Sequence, residues 1–353
     1  MSKKVLVGLS GGVDSSVSAY LLKKQGYEVI GAFIKVWEPP ADWGLPCTWR
    51  QDRRDAMRVA AHLAIPFITV DLSREYEEAV VNYLISEYQA GRTPNPDVMC
   101  NKEIKFGAFY QRALAGGIDF IATGHYARNE NNQLKTGLDK EKDQSYFLWN
   151  LTGEQLKHII FPLGSYQKVE VRKLAAKAGL MTAEKKDSQG ICFLGKLDMA
   201  EFLKKYLPVK PGVVVDETGR AIGQHDGAVF YTLGQRHGFT VTVKTNNNQP
   251  YYIADKDLDK NILVVSHNLK KIPSNKTEAV LKDVNWISGE PQTDQTYQAR
   301  IRYRQTPASC RLRKSKAGDS WTVKFDASQA VLPPGQSLVV YDGDICLGGG
   351  VII

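Results

Sequence analysis

Lys4-Val5-Leu6-Val7-Gly8-Leu9-Ser10-Gly11-Gly12-Val13-Asp14-Ser15-Ser16 is the stretch on which the fold turns. An apolar run of strand length ends in a hydroxyl, two glycines and an acid, after which Val17, Tyr20 and Leu21 recur at helical spacing as far as Gln25-Gly26. That order predicts strand, tight loop, helix. The glycines let backbone N–H groups approach a bound anion, the helix N-terminus adds a favourable dipole, and Ser10, Ser15 and Ser16 add hydroxyl donors. The loop is built for phosphate. It lacks the lysine of G-x-x-x-x-G-K-[ST] and the glycine spacing of G-x-G-x-x-G.

Outward from the loop, Glu28 to Trp37 reads as a second, nearly continuously apolar strand, which makes a parallel pair with the first. A helix is expected from Arg53 to Leu63, a strand from Pro66 to Val70, a helix from Ser73 to Gln89 and a strand from Ile118 to Thr123. The pattern is that of an α/β doubly wound parallel sheet, in which ligands lie beyond the strands' carboxyl ends. Ile34 is there a candidate wall for a nucleotide's adenosine, or plain core, and Gly124-His125 follows the fourth strand directly. Past Tyr206 short strands broken by turns replace helical periodicity. The expected domains are a catalytic one over 1–205, a small central β domain over 206–275 and a β-barrel over 276–353.

Composition narrows the class. A chain of 353 residues exceeds one ordinary core. No apolar run reaches membrane-spanning length, and the N-terminus lacks a signal peptide's apolar region, so a cytoplasmic protein without a membrane partner is expected. A net charge of +8 and a pI near 9.0 suit a polyanion, with nucleic acid the leading candidate. The five cysteines, at 47, 100, 192, 310 and 346, are too scattered for a disulfide framework or a zinc knuckle, so no metal site is expected from them.

Two cysteines stand in suggestive surroundings. Arg92-Thr93-Pro94-Asn95-Pro96-Asp97-Val98-Met99-Cys100-Asn101 predicts a rigid extended bend followed by an acid and a thiol three residues apart. If Cys100 begins or caps the helix expected over 102–115, the dipole and Lys102 favour its thiolate; otherwise it is a small buried hydrophobe. Cys192 follows Lys185-Lys186 in an irregular, glycine-flanked segment, an electropositive setting in which thiols react. From Arg300 to Lys316 there are seven basic residues and no acid, and strand alternation places Arg300, Arg302 and Arg304 on one face, with Arg311 and Arg313 beside them.

Ser10-Gly11-Gly12-Val13-Asp14-Ser15 resembles the PP-loop of the ATP pyrophosphatases. With Asn95-Pro96-Asp97, Cys100-Asn101, Thr123-Gly124-His125-Tyr126, Lys142 to Phe147, Gly190-Ile191-Cys192-Phe193, Arg302-Tyr303-Arg304-Gln305, Pro334-Gly335-Gln336 and Cys346 to Gly350, the whole chain resembles the bacterial-type tRNA-specific 2-thiouridylases. The resemblance implies ATP-dependent thiolation of the tRNA wobble uridine. Gly8, Leu9, Ser10, Gly11, Gly12, Val13, Asp14, Ser15, Ile34 and Gly124 then hold ATP with Mg²⁺, and Asn95, Pro96 and Asp97 meet the flipped-out base. Cys100 is the implied nucleophile, Cys192 the persulfide carrier and Asp97 the acid/base. His125, Lys142, Asp143, Gln144, Arg302, Tyr303 and Gln336 would contact tRNA, and an upstream sulfur carrier or cysteine desulfurase would supply sulfur. Alternatives are an iron–sulfur cluster on Cys100, Cys192 and an acid, a PP-loop enzyme with an amine nucleophile such as a lysidine synthetase, and a non-enzymatic RNA-binding protein.

Overall fold

Val5, Leu6 and Val7 alternate across β1 (Lys4–Gly8) and feed two cores: Leu6 packs on one face of the sheet, Val5 and Val7 on the other. The computed structural model describes residues 2–40, 43, 49–187, 198–243, 249–268, 277–315, 320–329 and 331–353; Cys47 and Cys192 lie outside them. β1 is the middle of a parallel sheet with β2 (Glu28–Lys35), β3 (Phe67–Asp71), β4 (Phe120–Ala122) and, beyond the hairpin β5 (Ala127–Glu130) and β6 (Gln133–Thr136), β7 (Ile159–Ile160). The order β3-β2-β1-β4-β7 runs outward from β1 to β3 and then returns to β4 on β1's other side. The doubly wound fold therefore has its switch point between β1 and β4, where a crevice opens at the strands' carboxyl ends.

Helices Val13–Lys24, Trp49–His62 and Lys168–Lys177 cover the face of Val5 and Val7. The other face is covered by helical runs that begin at Ser73 and Pro96. In the second run the structure departs from the expected bend. The bend ends at Asn95, whose side chain accepts the N–H of Val98 at 3.3 Å, and Pro96 takes the first helical position, where it has no N–H to lose.

The β5–β6 hairpin turns through Asn131 and Asn132, both in the left-handed region, and leaves the parallel sheet to pair with the C-terminal barrel, Lys135 opposite Ile345. Between them, β8 (Gly212–Val215), β9 (Ala221–His225), β10 (Thr240–Val241), β11 (Tyr252–Asp257) and β12 (Ile262–Ser266) form a separate mixed sheet. The barrel consists of β13 (Glu278–Trp286), β14 (Thr296–Arg300), β15 (Ala308–Lys314), β16 (Trp321–Phe325), β17 (Ser337–Asp342) and β18 (Ile345–Ile352), closed because β13 pairs with both β16 and β18. The fold is the expected one, a doubly wound α/β domain followed by two small β-rich domains, the last a barrel.

The expected comb of arginines does not form. β14 stops at Arg300 and the chain turns, with Arg304 at φ +62°. Arg300 points inward to Asp143 at 2.7 Å, while Arg313 lies on the barrel's surface beside Asp294.

Candidate active site

The loop after β1 reaches the helix Val13–Lys24 through Gly11, at φ +76°, and Gly12, which occupies the cap position. No side chain caps that helix, so its first-turn N–H groups face the crevice. Ser15 Oγ accepts from Ser10 N at 3.1 Å and donates to Gly12 O at 3.2 Å, and Ser16 Oγ donates to the same carbonyl at 2.7 Å. These two buried hydroxyls shape the loop from beneath, and Ser10 is the exposed one.

Gly124, just past β4, closes on the loop. A Cβ there would stand 2.9 Å from Ser15 N and 3.1 Å from Asp14 Cβ, so only glycine lets the two segments meet this closely. Ile34 lies on the other side, its Cδ1 4.0 Å from where a Gly8 Cβ would be. The loop, Ile34 and Gly124 thus converge at the switch point. A cavity of about 570 Å³ beside Lys3, Lys4 and Asp119 sits at the opposite, amino end of the strands, where this fold places no ligand.

Around the loop is a charge network that motif reading did not show. Lys168 Nζ lies 2.7 Å from both carboxylate oxygens of Asp14 and 2.9 Å from Asp187 Oδ1, and Tyr126 donates its hydroxyl to Asp14 at 2.8 Å. Asp187 is also held by Lys142 at 2.9 Å and Arg172 at 2.7 Å. Burial pushes the Asp187 carboxyl up, but the hydrogen bonds from Lys142 and Lys168 outweigh it and bring it down to about 2. Lys185 grips the loop from outside, 3.0 Å from Gly11 O, while paired with Asp52 and Asp55.

Asp97 and Cys100, three residues apart, share one face of the helical run opened by Asn95. Of the two alternatives for Cys100, the structure has the buried one: it stands at the junction of two continuous helical stretches, not at a free helix N-terminus. It lies one turn in, 1% exposed, at the start of a wide i→i+5 stretch, Cys100–Ala108, of a kind frequent at functional sites. Asn101 donates to Phe147 O at 3.3 Å, and the rings of Phe147 and Tyr303 pack at 4.7 Å between centroids, a half-buried aromatic pair beside the Asn95-Pro96-Asp97 segment.

Two expected tRNA contacts are instead interior. His125 is buried between Phe106 and Phe161 with Nδ1 2.7 Å from Thr123 Oγ1, and burial pushes its pKa well down. Asp143 is buried too, accepting from Gly137 N and Ser145 N and paired with Arg300. Gln144 accepts from Tyr126 N, and Gln336 donates to Thr93 O at 2.8 Å. Arg302 is exposed at a cavity of about 310 Å³, also lined by Thr93, Thr232, Gly234, Gln235 and Gln336, where all three parts of the chain meet.

An α/β domain with a glycine-rich loop at its switch point, and with an acid and a thiol on one face of a helical run, is thus followed by two β domains. Its segments match, in order, a tRNA methyl transferase HUP domain over residues 3–196, a tRNA methyl transferase PRC-barrel domain over 200–267 and an aminomethyltransferase β-barrel domain over 276–352. The tRNA-specific 2-thiouridylase MnmA of Nitrosomonas eutropha is 48% identical over 99% of this chain and 98% of its own. That of Thiobacillus denitrificans is 47% identical over the full length of both, and that of Lacticaseibacillus paracasei 45% identical over 99% of this chain and 94% of its own. The chain belongs to the tRNA-specific 2-thiouridylase family.

Proposed function

We propose that this protein is an ATP-dependent sulfurtransferase that replaces O2 of the wobble uridine of tRNA, position 34, by sulfur. The observation that carries this is similarity to 2-thiouridylases through 99% of the chain, covering all three domains. The methyl-transferase wording of the domain models fits less well, because a loop shaped for phosphates serves adenylation and has no part in transferring a methyl group. A PP-loop enzyme with an amine nucleophile would not need Cys100 beside Asp97, and the relatives named above do not favour it.

In this reading the catalytic domain spans about residues 1–205, the central domain 206–275 and the tRNA-contacting barrel 276–353. ATP lies along the loop with its adenosine toward Ile34 and Gly124. Mg²⁺ is usually held by one or two carboxylates plus substrate phosphates, and Asp14, one-third exposed beside the loop, fits that part. The uridine leaves the stack to reach Asn95, Pro96 and Asp97. Its O2 attacks the α-phosphorus, the bond to the bridging oxygen breaks, and pyrophosphate departs with the electron pair; Asp97 handles the base's proton. Cys100 thiolate then attacks the inner sulfur of a Cys192 persulfide, giving a Cys100–Cys192 disulfide and hydrosulfide. Hydrosulfide adds at C2 and AMP leaves with the C2–O2 electrons; an external thiol later reduces the disulfide. Cys192 is outside the described residues, so its approach to Cys100 rests on the family resemblance.

A sulfur carrier or desulfurase charges Cys192, and the reaction takes place in the cytoplasm with tRNA; among the described residues no helix is long and apolar enough to cross a membrane. The iron–sulfur alternative needs Cys192, which lies outside the described residues; an anaerobic absorption spectrum with iron quantitation separates it from the persulfide relay. Cys192→Ser is expected to abolish 2-thiouridine, read by mass spectrometry of tRNA, while tRNA-dependent pyrophosphate release persists. Retained thiolation, or loss of tRNA binding by this variant, refutes the relay.

A further inference from the structure

The phosphate loop contains no lysine, yet it is expected to receive a triphosphate and to release pyrophosphate. The fold brings lysines to it from far along the chain. Lys185 is committed to the loop's outer side through Gly11 O, Asp52 and Asp55. Lys168 is placed differently. It is the first residue of the helix Lys168–Lys177, where a cation opposes the helix dipole, so helix stability does not explain its position. Its stem is mostly buried, 11% exposed, and its ammonium sits on Asp14, the second residue of the helix that opens at the loop.

Neither acid depends on Lys168. Asp14 keeps the Tyr126 hydroxyl at 2.8 Å, and Asp187 keeps Lys142 at 2.9 Å and Arg172 at 2.7 Å. An ammonium on a four-carbon stem with three donors can therefore turn away without stranding a carboxylate. We propose that Lys168 is the loop's missing phosphate cation: when ATP enters, its ammonium turns from Asp14 and Asp187 to the β- and γ-phosphate oxygens and stays with pyrophosphate as the bond to the α-phosphorus breaks. The inference rests on the ATP reading given above. Asp14 and Asp187 hold the lysine extended beside the loop, so little rotamer entropy remains to be lost on binding.

The test is equilibrium binding of ATP, AMP and inorganic pyrophosphate to the wild type and to Lys168→Met and Lys168→Arg, with tRNA-dependent pyrophosphate release alongside. A lost charge-assisted hydrogen bond predicts ATP and pyrophosphate weakened ~10- to 100-fold in Lys168→Met. AMP and tRNA should bind within about twofold of wild type, since neither contact involves the β- and γ-phosphates, and Lys168→Arg should recover part of the loss. Equal weakening of ATP and AMP, or ATP binding unchanged in Lys168→Met, overturns the proposal. A wild-type chain that binds neither ATP nor pyrophosphate overturns the ATP reading itself, a result no lysine variant can imitate.

Discussion

Arg300→Met is expected to loosen the barrel from the catalytic domain. Arg300 ends β14, and its Nη1 lies 2.7 Å from Oδ2 of Asp143, whose side chain is wholly buried while that of Arg300 is 12% exposed. The other oxygen of Asp143 accepts from Gly137 N at 3.0 Å and Ser145 N at 3.1 Å, so the carboxylate also holds its own loop in shape. Removing the guanidinium leaves a buried, uncompensated charge, a change that costs about 3–5 kcal/mol. The pair itself is imperfect, because Arg300 Nε is buried without a hydrogen-bond partner. Its desolvation is only partly offset, and the net gain over a neutral arrangement is correspondingly small. Asp143→Asn combined with Arg300→Met keeps an oxygen for both backbone N–H groups and removes both charges, so the double variant should recover most of the loss. Trp286 and Trp321, 5.1 Å apart between ring centroids inside the barrel, supply a fluorescence signal for urea unfolding. Arg300→Met with stability within about 1 kcal/mol of wild type and weakened tRNA binding would refute the reasoning and return Asp143 to the RNA-facing role the motif suggested.

Gly124→Ala places a methyl 2.9 Å from Ser15 N, where ordinary contact begins near 3.4 Å, so the loop must retreat by several tenths of an ångström. Misplacement approaching 1 Å can cost ~100-fold, and a loss of ~10-fold or more is expected in pyrophosphate release; an unchanged rate would remove Gly124 from the site. His125 should make stability fall with pH. Burial first, then the charge of Lys105, hold its folded pKa well below 6.5, so below that value the unfolded chain binds a proton the native state refuses. The loss begins as pH drops from about 7 toward 5, at up to about 1.4 kcal/mol per unit, and His125→Asn should flatten it without weakening tRNA binding. Denaturant midpoints across that range decide the matter, and a variant with the same slope as wild type assigns it elsewhere.

Legibility followed the range of the interaction. The phosphate loop could be read because a change from strand to helix period with glycines between is local. The two prolines flanking Asn95 mislead over one residue: Pro96 restrains Asn95 to extended backbone, but its own fixed φ suits the first helical position, so the bend becomes a helix start. The arginine comb failed because alternation presumes a continuing strand, and nothing local announces that β14 ends at Arg300. His125 stands at the strand end where ligands gather, and only tertiary packing reveals Phe106 and Phe161 against it. Lys168 was beyond sequence reading altogether, since it meets Asp14 across 154 residues and at a helix start where a cation is disfavoured.

Those long-range contacts converge on the segment that would meet the base. Thr93, two residues before Asn95, takes Gln336 from the barrel on its carbonyl and bonds Thr232 of the central sheet domain at 3.0 Å. Its N–H donates to Pro334 O, and Tyr146, which also touches Asn95, donates to Ser337 O at 2.8 Å. The β5–β6 hairpin adds a strand pairing to the same barrel. A flipped base has no stacked neighbours to position it, so on the proposed reading its placement depends on how rigidly the surfaces gripping the RNA are fixed to Asp97. If the barrel were tethered only by a linker, binding energy from the RNA would be lost in ordering the domains. With Thr93, four residues before Asp97, bonded to Gln336 and Pro334 of the barrel and to Thr232 of the central domain, tRNA held by the barrel would, on the proposed reading, act directly on the geometry at O2.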